Sequence, residues 1–114
     1  MKSKARDKQI VEHIIKHCDE IKMAMDMFGA SKDVFLNNPV FLNSCSMSLL
    51  QIGELARKLS DEFIGETSDI PWKQIKGMRN YFAHDYENMK KDMIWNTIIE
   101  DVPVLRQKCK KLLD

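Results

Sequence analysis

The chain has 114 residues, 44% of them hydrophobic and 31% charged. That balance belongs to one folded globular domain; it excludes a disordered segment and leaves little room for a second domain. The 18 basic and 17 acidic residues give a formal net charge of +1, which excludes the broad phosphate-binding surface of a strongly basic nucleic-acid binder but allows a local basic cleft.

No secretory segment is expected ahead of the first charges, and no apolar run approaches the roughly 20 residues needed to cross a bilayer. Cys18, Cys45 and Cys109 are far apart and odd in number. They form neither a metal-ligand pattern nor a disulfide framework, so thiols buried as small hydrophobes in a reducing cytoplasm are expected. A domain this small buries limited apolar surface alone, and a homodimer would extend its core.

From Arg6 to Phe28, apolar residues recur at Val11, Ile14, Cys18, Ile21, Met25 and Phe28. The alternating steps of three and four put them on one face of a long helix that Gly29 stops. A short helical turn is expected near Lys32–Leu36. Asn38-Pro39 reads as an N-cap followed by proline at the first helical position. The next stripe, Cys45, Leu49, Ile52, Ala56, Leu59 and Phe63, predicts a second long helix, with Gly53 marking close helix packing. A polar stretch, Gly65–Asp69, breaks it.

Pro71 starts a shorter helix, with Trp72, Ile75 and Met78 inward and Arg79 near its far end; Asn80–Asn88 shows no clean period. From about Met89 to Leu113 the stripe Ile94, Ile98, Val102, Leu105, Cys109 and Leu112 predicts a last helix; at Pro103 it either kinks or restarts with Asp101 as cap, and the kink is preferred because the phase survives the proline. No segment shows strand alternation. The expected fold is all-α: one domain over residues 1–114, an up-and-down bundle of four main helices plus a short one, homodimeric.

Chemistry concentrates in Arg79-Asn80-Tyr81-Phe82-Ala83-His84-Asp85-Tyr86. Histidine exchanges protons near neutral pH, and arginine is a permanent cation whose planar fork suits phosphate oxygens. Five residues apart, Arg79 and His84 point about 140° from each other on an ideal helix. They converge only if the helix ends between them or a symmetry mate brings its own pair alongside. The same residues also fit a buried polar network locking the third helix against the fourth. His13 and His17, four apart, lack further ligands and read as ordinary helix residues.

The segment Ile70-Pro71-Trp72-Lys73-Gln74-Ile75-Lys76-Gly77-Met78-Arg79-Asn80, continued by His84-Asp85-Tyr86, resembles the HepT family, small toxins within the HEPN superfamily of helical ribonuclease domains. Gly53-Glu54-Leu55-Ala56-Arg57-Lys58-Leu59-Ser60 resembles the family's central helix. Arg79, Asn80, His84 and Tyr86 fill the family's signature places. The likeness runs clearly from Gly53 to Tyr86 and is weak before Leu50.

The resemblance implies a homodimer with the Arg and His motifs of both subunits in an interface cleft. It implies cleavage of RNA without metal or cofactor, as in a type VII toxin–antitoxin system. The implied partner is a nucleotidyltransferase antitoxin of the MntA type, which transfers AMP from ATP to the motif tyrosine, here Tyr86. Glu54 matches a family glutamate facing the motif. On this basis His84 is expected to move protons, Arg79 to stabilise phosphoryl charge and Asn80 to orient the phosphate or His84, with Glu54 and Asp85 in support. Glu54 is expected either to hold Arg79 by an ion pair or to stand as a surface carboxylate. The alternatives are a non-catalytic module that binds a nucleotidyltransferase or a nucleotide, and a purely structural helical dimer.

Overall fold

A computed structural model describes residues 2–84 and 90–114. They form α1 (Lys2–Phe28), α2 (Lys32–Asn37), α3 (Pro39–Ala56), α4 (Asp61–Glu66), α5 (Trp72–His84), α6 (Lys91–Asn96), a π-helical turn (Thr97–Asp101) and α7 (Val102–Leu113). The architecture among the described residues is an all-α bundle of several long helices joined by short ones. Helix α1 is central. It packs on α3 at one side and α7 at the other, and α3 in turn carries α5.

The termini are set by local chemistry. Gly29 ends α1 with φ +94°, in the left-handed region where a side chain is strained. Asn38 caps α3 as its Oδ1 accepts from the N–H groups of Val40 and Phe41 at 3.0 and 3.2 Å, with Pro39 in the first turn, where a missing N–H costs nothing.

Both ends of the bundle are closed by specific contacts. At one end Phe28 stacks on Phe41 with centroids 5.2 Å apart, and Phe35 meets Phe41 and Trp95 at 4.9 and 5.3 Å. At the other end Asp7, 2% exposed, receives the Ser60 N–H at 2.9 Å and the Ser60 hydroxyl at 2.7 Å. Ser60 Oγ accepts from Phe63 N–H at 3.2 Å and so caps α4. Because the start of α1 meets the residues following α3, and its end meets the start of α3, the two helices run antiparallel.

The second apolar stripe divides where one helix was expected. Helix α3 stops at Ala56, and Phe63 belongs to the separate α4. Ser60 explains the break, because a serine that accepts from a backbone N–H three residues on starts a helix rather than continuing one. The last segment keeps one helical path, as the unbroken phase implied. It contains a π turn just before Pro103, however, and Asp101 makes no side-chain cap. A π turn with proline following is a recognised way to accommodate a helix irregularity.

All three thiols are buried, and burial pushes each up to about 12. For Cys18, desolvation acts first and the neighbouring Cys109 and Asp19 add to it. Such thiols stay protonated and unreactive near neutral pH. Among the described residues no helix is long and apolar enough to cross a membrane.

Candidate active site

Helix α5 lies against α3 at Gly53. A Cβ added there would meet Arg79 N at 2.8 Å and Ile75 O at 3.0 Å, so the two backbones touch and only glycine fits. This contact sets the position of Arg79. One residue further along α3, Glu54 receives a hydrogen bond from Arg79 Nε as an ion pair. Of the two readings open for Glu54, the structure gives the ion pair, with both side chains about one-third exposed. Arg79 Nη1 also donates to Asn80 Oδ1 at 3.2 Å. Asn80 thus rests on Arg79 through its side-chain oxygen.

Helix α5 runs unbroken through both Arg79 and His84, where the sequence showed no clean period beyond Asn80. Arg79 thus sits in mid-helix rather than near its end, and the option of a helix ending between the two residues falls away. Their side chains leave the same helix in directions about 140° apart, with His84 exposed at its last turn. Phe82, buried at 8% exposure, fastens this turn to the core. Asp85 and Tyr86 lie outside the described residues. Just beyond them, the Lys90 N–H donates to the Tyr81 hydroxyl at 3.0 Å, which ties the chain back to α5.

The other side of α5 is apolar. Ile75 and Met78 face Val102 and Leu105 of α7 across a groove of about 490 Å³ floored by Leu49 and Ile52. Among the described residues of the motif, Arg79 and His84 are not buried in a polar network: Arg79 is about one-third exposed and His84 is exposed.

Arg57 was not singled out by sequence reasoning. Its Nη1 lies 3.8 Å from Glu54 Oε1; the available signal was the three-residue spacing that puts it one turn after Glu54. Among the described residues no three of His, Cys, Asp or Glu gather as metal ligands. His17 does have an acidic neighbour, with Nδ1 3.6 Å from Glu20 Oε1, but among the described residues no third ligand joins the pair.

Fold and site together define a small helical domain that carries the arginine of an arginine–carboxylate pair and an exposed histidine on one helix, α5. The ribonuclease HepT-like family model matches residues 8–112, and the chain belongs to that family. It is 34% identical over 103 residues to "Putative RNase TTE0752" of Caldanaerobacter subterraneus subsp. tengcongensis, covering 90% of each chain. It is 29% identical over 94 residues to "Putative RNase MJ1380" of Methanocaldococcus jannaschii, covering 79% of this chain and 86% of the relative. A third relative, "Probable ribonuclease HepT" of Thermococcus cleftensis, is 33% identical over 61 residues, covering 54% and 56%. No solved structure matches the chain.

Proposed function

We propose that the protein is a metal-independent endoribonuclease of the toxin type, working as a homodimer. The observation that carries this is the preset guanidinium of Arg79, pinned by Glu54 and Gly53, on the same exposed helix as His84 in a ribonuclease HepT-like chain.

His84 takes the proton from a ribose 2′-hydroxyl as that oxygen attacks the adjacent phosphorus. The bond to the 5′-oxygen breaks, that oxygen acquires a proton, and the products are a 2′,3′-cyclic phosphate and a free 5′-hydroxyl. Arg79 stabilises the charge growing on the non-bridging oxygens, and a cation already held in place does this without reorganisation. Asn80, bonded to Arg79, orients the phosphate through that fork.

The continuity of α5 through both residues, which send their side chains about 140° apart, favours a site shared between two copies of the chain. A second copy related by a twofold axis supplies the missing group. Each site then combines Arg79 of one subunit with His84 of the other.

Regulation follows the resemblance. A nucleotidyltransferase antitoxin of the MntA type transfers AMP to Tyr86: the phenolic oxygen attacks the α-phosphorus of ATP, pyrophosphate leaves and the phenolic proton is lost. A bulky anion near the cleft blocks RNA by size and repulsion. By the same resemblance Asp85 has a supporting part in the site.

The test is cleavage of single-stranded RNA by purified protein with chelator present. Wild type is expected to leave 2′,3′-cyclic ends, and His84→Ala to lose cleavage while keeping its fold. Equal rates for both proteins would remove His84 from the chemistry. A clean, unmodified protein that cuts nothing would favour a binding module.

A further inference from the structure

Arg57 stands where the chain leaves α3, and its Nη1 lies 3.8 Å from Glu54 Oε1, the same oxygen that receives Arg79 Nε. Two guanidinium groups therefore meet over one carboxylate oxygen, and the trio keeps one positive charge in excess.

The two contacts are unequal. Arg79 makes a charge-assisted hydrogen bond, the stronger kind. Arg57 is too far for a hydrogen bond and its side chain is 48% exposed. An exposed pair of that length contributes little. Arg57 can leave Glu54 at small cost and turn its fork of donors to another anion. An RNA phosphate held by Arg79 has its neighbouring phosphate one nucleotide away, and Arg57 holds a second guanidinium beside Arg79 on the same Glu54 oxygen.

We propose that Arg57 binds the phosphate next to the one held by Arg79, forming a second backbone subsite. Glu54 serves both arginines: it fixes Arg79 and keeps Arg57 beside it until RNA arrives. The subsite rests on the ribonuclease reading and adds a substrate contact to it. It reads backbone charge and not base identity, since a guanidinium on phosphate carries no sequence information.

The experiment uses the His84→Ala protein, expected to hold RNA without cutting it, and a short single-stranded RNA labelled for fluorescence anisotropy. Affinity is measured across a series of KCl concentrations. Adding Arg57→Gln is expected to weaken binding about fivefold at low salt and to lower the slope of log affinity against log salt by about 0.7, the value for one lost phosphate contact on a single strand. Arg57→Lys keeps the slope, because the charge remains. The melting midpoint stays that of the parent, as suits a half-exposed side chain. Unchanged affinity and slope for Arg57→Gln, with wild type still cutting RNA, would remove the subsite alone. Wild type that neither binds nor cuts RNA would remove the ribonuclease reading and the subsite with it.

Discussion

Among the described residues, two acid–arginine pairs cross helix seams in this bundle, and taken singly they look alike. Glu54 and Arg79 join α3 to α5 with side chains 36% and 32% exposed. Asp19 and Arg106 join α1 to α7 with side chains 44% and 39% exposed. In each, a guanidinium Nε donates to one carboxylate oxygen.

Their neighbours differ. Around Asp19–Arg106 lie Cys18, Ile21, Ile98, Val102 and Pro103, mostly apolar groups, with Lys22 as a neighbouring cation. Around Glu54–Arg79 lie Asn80, Arg57 and a glycine contact that fixes the backbone of Arg79 itself. An ion pair is thus poor evidence of function until its company is known. The first pair guards a seam, whereas the second holds a tool.

The sharpest way to break this contrast is to remove the tool. His84→Ala is expected to lower RNA cleavage by about 100- to 10,000-fold with the melting midpoint unchanged, and Arg79→Ala by about 100- to 1,000-fold. Arg106→Ala should cut at the wild-type rate and shift the midpoint by a few degrees at most. Cleavage lost equally in Arg106→Ala and Arg79→Ala would erase the distinction.

A glycine pair sharpens it further. Gly53→Ala drives a methyl into the backbone of α5 and is expected to cost about 2 kcal/mol, with cleavage reduced as Arg79 shifts. Gly77→Ala meets nothing within 4 Å and should gain up to about 1 kcal/mol from helix propensity. Denaturant melts of the two variants separate these outcomes.

The carboxylates give a smaller effect. Glu54→Gln keeps the shape but drops the charge, and cleavage should fall about tenfold while Asp19→Asn leaves it unchanged. The smallest effect lies at the thiols of the α1–α7 seam. Burial raises Cys18 and Cys109 to about 12 in the folded chain against an ordinary value of 9.0. Between those limits the unfolded chain has shed protons that the folded chain retains, so stability falls as pH rises above 9. Thermal melts from pH 8 to 10.5 should show a steeper decline for wild type than for Cys109→Ala.

Much of the frame was legible because it follows from periodicity and short-range caps. The stripe from Val11 to Phe28, the stop at Gly29 and the Asn38-Pro39 start all depend on residues within a turn of one another. What stayed hidden depends on partners distant in the chain. Ser60 starts α4 while bound to Asp7, 53 residues away. Helix α5 extends past Asn80 to His84 because Phe82 finds a place in the core, which local pattern does not reveal. The Glu54–Arg79 ion pair was one of two readings the sequence left open, and the α3–α5 crossing decides between them. Arg57 went unremarked because its meaning arises only when a second arginine reaches the same oxygen.

The continuous α5 makes the central claim testable in one mixture. Arg79→Ala and His84→Ala chains, each inactive alone, are coexpressed with different tags, and the mixed dimer is purified through both. One of its two sites then holds an intact Arg79 and an intact His84 from opposite subunits, and about half of the wild-type cleavage rate is expected to return. A mixed dimer no more active than either parent would mean that Arg79 and His84 do not meet across subunits, and the composite site would be wrong.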